Sequence, residues 1–241
     1  MKPSFAPIGS LALLLLLGVL HSSFAAMPAE LKLVEGSTTV LFPVRMQVEG
    51  VLDGDVDVLL DVDADGKVVD WIVLSASHEG FIPPAVQTLR RWRFEPLEED
   101  GQAIRFIVPA VFQFDYGELA HTSFGPSVVF SFLNEIRPDS GRQVYVARMS
   151  ELARLPQPLE VERPKLFSDL PLEEQKGRVV FTFYIDREGR VRIPVVTELE
   201  GNPLLAESAA QALLEWRFEP ARVKNHPVIV RAQQEFVFTG E

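Results

Sequence analysis

The pentapeptide Trp-Arg-Phe-Glu-Pro stands twice in this chain, at Trp92–Pro96 and at Trp216–Pro220. The chain holds three tryptophans, so two of them falling in one repeated word point to a duplicated structural unit. The repeat extends beyond that word. With Gly54 set on Gly177, Val56, Asp63, Gly66, Val68 and Val73 meet Val179, Asp186, Gly189, Val191 and Val196. One inserted residue near position 200 then brings Ala85, Gln87, Leu89, Phe112 and Phe114 onto Ala209, Gln211, Leu213, Phe236 and Phe238. The fold must therefore be one small architecture built twice.

Each copy shows the same order of periodicities. Val56, Val58, Leu60 and Val62 alternate with mostly acidic positions, the period of a strand with one buried face, and Val179, Phe181, Phe183 and Ile185 recur at the same spacing in the second copy. The turns Ala64-Asp65-Gly66-Lys67 and Arg187-Glu188-Gly189-Arg190 follow, with a glycine free to take positive φ. Returning strands are expected at Val68–Leu74 and Val191–Val196. The spacing then becomes helical: Phe81, Ala85, Leu89 and Trp92, and in parallel Leu205, Ala209, Leu213 and Trp216, share one face. Pro83-Pro84 and Asn202-Pro203 suit helix starts, and Pro96 and Pro220 exclude continuation. Third strands are expected over Ile104–Phe114 and Val228–Phe238. The fold class is α+β, as two tandem ββαβ units. Trp92, Phe94, Trp216 and Phe218 read as core.

Hydrophobic residues make up 47% of the chain and charged ones 24%, as in ordinary globular proteins. The formal net charge of −11 argues against non-specific nucleic-acid binding, which needs clustered Lys and Arg. With no cysteine, thiolate catalysis, disulfides and Cys-ligated metals are excluded. Asp61–Gly66 matches the opening of a calcium loop, but Ile72 stands where the bidentate Glu belongs, and turn chemistry accounts for Asp63, Asp65 and Gly66. His21, His78, His121 and His226 are dispersed, and neither G-x-S-x-G nor a phosphate-cradling glycine loop is present. No catalytic residue, metal ligand or cofactor is expected, and no enzyme.

The N-terminus carries Lys2, the apolar run Ile8–Leu20, and then small residues ending in Ser23-Phe24-Ala25. This is the pattern of a secretory signal cleaved after Ala25 or Ala26. The rival reading is an uncleaved inner-membrane anchor facing the periplasm. The expected organisation is a signal at 1–26, a first domain at 27–116, a connecting segment with a candidate β-hairpin at 117–160, and a second domain at 161–241. In the connecting segment, SVVFSFL and QVYVARM read as short strands around the turn in RPDSG.

The arrangement resembles the C-terminal domain of the TonB family, the energy transducers of bacterial envelopes. The resemblance rests on Phe42-Pro43-Val44-Arg45, GDVDVLLDVDADGKVVDWIVLSAS, LRRWRFEP and AIRFIVPAVFQF. In the second copy it rests on Arg163-Pro164, GRVVFTFYIDREGRVRIPVV, QALLEWRFEP and VIVRAQQEFVF. It marks Phe42, Pro43, Arg45 and Pro164 as family-motif positions. It implies a periplasmic module that pairs an edge strand with a short segment of an outer-membrane TonB-dependent receptor, or with another TonB-like protein. The edge residues so implied are Ile104, Arg105 and Phe106 in one copy and Val228, Ile229, Val230, Arg231, Ala232 and Gln233 in the other. A homodimer and intramolecular pairing of the two units are further partner expectations. Membrane association is expected only with an uncleaved N-terminus. The alternative is an adaptor that keeps the fold without energy coupling: the apolar run lacks a Ser-x-x-x-His pattern, and only MPAELKLVEGSTTVLF separates the signal from the first unit.

Overall fold

The computed structural model describes residues 31–99, 101–118, 121–124, 143–165, 167 and 170–240. The chain packs as two compact units, Ala25–Leu155 with Pro220–Val230, and Pro156–Glu219 with Arg231–Glu241. Each is a mixed α+β body with a small antiparallel sheet.

In the first unit, β1 (Leu33–Glu35) and a short α1 (Val44–Val48) precede β2 (Asp53–Val62) and β3 (Val68–Ala76). Helix α2 (Ile82–Leu89), β4 (Arg93–Phe94), a hairpin of β5 (Leu97–Glu99) and β6 (Gln102–Ile104), and β7 (Phe106–Asp115) complete the repeat. Three short strands follow: β8 (His121–Phe124), β9 (Gln143–Val144) and β10 (Val146–Ala147). The sheet order is β8-β7-β2-β3-β9. Strand β2 is central because both of its neighbours are long: it pairs with β7 from Asp53↔Asp115 to Val62↔Phe106 and with β3 from Val56↔Ala76 to Val62↔Val68. Its alternating Val56, Val58, Leu60 and Val62 are fully buried in one core with Ala85 and Leu89 of α2.

The second unit repeats this with β11 (Pro158–Glu160), β12 (Lys176–Ile185), β13 (Val191–Gly201), α3 (Pro203–Glu215) and β14 (Arg217–Phe218). The hairpin of β15 (Arg222–Val223) and β16 (His226–Pro227), which falls in the stretch Pro220–Val230 grouped with the first unit, leads into β17 (Ile229–Thr239), whose residues from Arg231 onward belong to the second. Its strands lie in the order β17-β12-β13. Asn202 caps α3, its side-chain oxygen accepting from the Leu204 backbone N–H at 3.0 Å, with Pro203 in the first turn. Leu205, Ala209 and Leu213 are buried on the helix face that the spacing predicts.

Both helices stop short of the repeated word. Helix α2 ends at Leu89 and α3 at Glu215, and each Trp lies just past its helix. The next two residues do not simply lead into the last strand. They form β4 and β14, which pair antiparallel with the N-terminal straps β1 and β11. Trp92 Nε1 donates to the Ser37 carbonyl at 2.9 Å, and Trp216 Nε1 to the Glu162 carbonyl at 2.7 Å. The Glu95 and Glu219 amides donate to Lys32 and Gln157 carbonyls, each at 2.8 Å. The Phe94 and Phe218 amides donate to the carbonyls of Gly66 and Gly189, at 2.7 and 2.8 Å. One five-residue word thus fastens a strap, a core aromatic and a hairpin turn in each copy. The straps are additions to the expected ββαβ unit.

The third strands begin at Phe106 and Ile229, two and one residues after the expected starts, because the hairpins take up the preceding residues. Of the connecting segment, QVYVA forms β9 and β10, whereas SVVFSFL lies outside the described residues.

Candidate partner-binding edge

The two third strands occupy equivalent places and present different outer edges. Strand β7 is bounded by β2 on one side and by β8 on the other, in the register Ala110↔Phe124, Val111↔Ser123, Phe112↔Thr122 and Gln113↔His121. Strand β17 is bounded by β12 on one side. On its other side, Ile229 and Val230 pair in parallel with Val146 and Ala147 of β10. From Arg231 to Thr239 no strand among the described residues pairs with that side.

The expected edge residues therefore divide. Ile104 closes the β5/β6 hairpin, paired with Leu97, and Phe106 is buried at the start of β7. Arg105 is exposed, and its Nε and Nη2 donate to the two carboxylate oxygens of the buried Asp61. The stretch from 104 to 110 does not form one continuous open edge. Val228 donates its amide to the Ala221 carbonyl at 2.9 Å, and Ile229 donates to the Tyr145 carbonyl at 2.9 Å. Arg231, Ala232 and Gln233 lie on the open stretch of β17. Ala232 is buried on the core face, and Arg231 and Gln233 are exposed on the other.

The open stretch alternates cleanly. Ala232, Phe236 and Phe238 face the core, while Arg231, Gln233, Glu235, Val237 and Thr239 face solvent. An exposed edge with charges and amides on its outer face resists indiscriminate pairing while its main-chain groups stay available. Gln233 Nε2 donates to Thr182 Oγ1 at 3.1 Å, and Glu235 pairs with Arg178 of β12, which also meets Glu198 and Glu200 of β13. Hydrogen bonds to Glu235 and Glu198 hold the Arg178 guanidinium firmly protonated, its pKa raised. These ties run across the sheet face and do not use the main-chain groups of the edge.

The family-motif positions Phe42, Pro43, Arg45 and Pro164 lie away from the open stretch of β17 in the chain. Phe42 packs edge-on against Phe81 and Tyr116, each at 5.6 Å, and the Pro43 carbonyl accepts from the Met46 amide at 2.9 Å to start α1. Arg45 lies in solvent and pairs with Glu49 at 2.7 Å. Pro164 sits in the strap between Glu162, whose carbonyl takes the Trp216 N–H, and Lys165, whose carbonyl takes the Ser208 hydroxyl at 2.6 Å. Trp92, Phe94, Trp216 and Phe218 are all buried.

Two carboxylates carry the internal electrostatics. Burial raises the pKa of Asp61, against the opposing pull of its partner Arg105. Burial also opposes ionisation of Asp186. There the backbone N–H and guanidinium of Arg190 and the Glu188 amide outweigh it and hold the carboxyl below its ordinary value. Asp63 does the same turn work in the first copy, accepting from the Asp65 and Lys67 amides at 3.0 and 2.9 Å. Asp61, Asp63 and Asp186 are thus committed to turns and ion pairs.

The sequence offered the 115–160 segment, or the other unit, as a cover for these edges without locating a strand there; the cover on β7 is β8. Its only local signal is the alternation in His121-Thr122-Ser123-Phe124, too short to separate from a loop.

A tandem pair of small α+β units, each with an antiparallel sheet and one backing helix, defines the structural class. Residues 39–115 and 171–239 match the family described as Gram-negative bacterial TonB protein C-terminal. Those stretches take up more than half of the chain, so the chain belongs to that family and carries its domain twice. Membership associates it with the bacterial envelope and TonB-like transport. Among solved structures, the solution NMR structure of the Pseudomonas aeruginosa TonB CTD is similar at 26% identity, covering 38% of this chain and 91% of that one, with a TM-score of 0.32. No curated protein matches the chain. No helix among the described residues is long and apolar enough to cross a membrane.

Proposed function

We propose that the chain is a periplasmic binding module of envelope transport that pairs the open edge of β17 with an extended segment of an outer-membrane receptor or of another TonB-like protein. The observation that carries this reading is the stretch Arg231–Thr239, paired on one side only among the described residues. Main-chain hydrogen bonds along such an edge supply affinity, and alternate side chains supply selectivity. The function is binding, with no covalent step assigned to any residue.

The test is hydrogen exchange on the full chain with and without synthetic receptor segments. Expected is saturable binding with added amide protection concentrated in 231–239. Binding that protects only other segments, or no binding by any segment tried, overturns the reading and favours an adaptor role.

A further inference from the structure

The duplication places a worked example of edge pairing inside the molecule. Strand β8 lies antiparallel on β7, opposite Ala110–Gln113, and the internal repeat sets those residues on Gln234–Val237 of β17. The side chains of β8 show what holds it. Phe124 packs edge-on against Trp92 at 5.8 Å and Phe94 at 5.4 Å, the two aromatics of the repeated word. Thr122 Oγ1 donates to the Thr38 carbonyl at 2.8 Å, and Ser123 is exposed.

The second copy has the same aromatic row, and among the described residues no strand pairs with the outer side of β17 beside it. Trp216 lies 6.0 Å from Phe218 and 5.6 Å from Phe236. Trp92, Phe94 and Phe112 are 1%, 0% and 0% exposed, whereas Trp216, Phe218 and Phe236 are 4%, 6% and 8% exposed. Each counterpart is still buried but slightly more accessible, a difference in the direction that an unfilled strand position beside the row would give.

We propose that β8 is a built-in occupant that closes the first copy, and that the second copy takes a strand of the same chemistry from outside. That strand is an antiparallel extended segment whose aromatic residue pairs with Gln234 and completes the row of Trp216 and Phe218. The inference rests on edge pairing at β17 and adds direction, register and an aromatic requirement. Where the first copy has Ala110, the second has Gln234, whose amide is turned along the strand to the Glu235 carbonyl at 2.7 Å. That longer side chain stands nearer the incoming ring than Ala110 does and weakens the contact.

The test uses the cysteine-free full chain and a labelled peptide of its own sequence, GELAHTSF, residues 117–124. Three results are expected. The peptide binds saturably, and its Phe124→Ala version binds about tenfold more weakly, the scale of one aromatic contact set. Protein with Gln234→Ala binds the parent peptide several-fold more tightly, a gain that unfolding cannot mimic. A peptide with His121→Cys forms a disulfide with Val237→Cys protein, the position equivalent to Gln113, in clear preference to Gln233→Cys protein. Equal binding by the alanine peptide, or cross-linking that favours Gln233→Cys, overturns the proposal. If receptor segments protect 231–239 but GELAHTSF does not bind, edge pairing stands and this inference fails. If no segment binds, both fail.

Discussion

At the scale of single residues, the repeat is explained by what a side chain would displace. Gly66 and Gly189 have φ of 81° and 82°, and a Cβ on either would lie 2.0 or 1.9 Å from the carbonyl oxygen of Phe94 or Phe218. That oxygen belongs to backbone already fixed by strap pairing, so it cannot give way. Gly66→Ala and Gly189→Ala are each expected to cost about 2–3 kcal/mol of stability, measured by urea unfolding. The pair of buried Asp61 with half-exposed Arg105 gives a pH test. Arg105→Ala leaves a carboxylate that is only 3% exposed without its cation, a loss of about 2–3 kcal/mol at neutral pH. The folded pKa of Asp61 is already raised by burial, and losing Arg105 raises it further. Its destabilisation is absent below the ordinary carboxylate pKa and grows as pH rises towards the folded value. Thermal melts of the two proteins should therefore converge in acid and separate on going to neutral pH. A constant gap across that window would mean that Arg105 contributes packing alone.

At the scale of elements, the repeated word works as a clasp. The helix faces were legible because Ala85 with Leu89, and Leu205 with Ala209 and Leu213, keep the helical period. The helix ends were not, since Trp92 and Trp216 keep that period while lying beyond the last turn. What stops each helix is the strap, whose carbonyls take the Trp Nε1–H and whose strand pairs with the following Arg-Phe. No pattern within the straps reveals this, because Leu33–Glu35 and Pro158–Glu160 are three-residue strands. Trp92→Phe and Trp216→Phe keep most of the buried ring and remove only the donor. Each is expected to cost about 1–2 kcal/mol and to raise hydrogen exchange at Lys32–Ser37 or Gln157–Glu162 ahead of the sheet. If the sheet amides exchange faster in step with the strap, the clasp account is wrong.

At the scale of the whole molecule, the two copies share a fold and differ in what lies beside the third strand. The first sheet continues through β7 into β8, and the second presents Arg231–Thr239. The same division separates what was legible at the candidate site. Arg231 and Gln233 were placed correctly on the polar face of β17 by alternation alone, whereas Arg105 proved to be spoken for by Asp61. Its partner is distant in sequence, and no periodicity encodes such a pairing. The proposed export of the chain adds a measurement at this scale. Fractionation of the native host and N-terminal sequencing should yield a periplasmic product beginning at Ala26 or Met27. A product that keeps Met1 and stays in the inner membrane would replace the free binding module with an anchored transducer.

By itself the sequence determined that one α+β unit occurs twice, the ββαβ order of its long strands and helix, and which face of each of these is buried. Those properties follow from local periodicity and from the few residues, such as Gly66 and Pro203, that tolerate special backbone geometry. Only the tertiary structure decided which sheet edge is occupied, where each strap lies and which charge answers Asp61. Strand pairing and ion pairing join residues far apart in the chain, and main-chain hydrogen bonds look alike in every sequence.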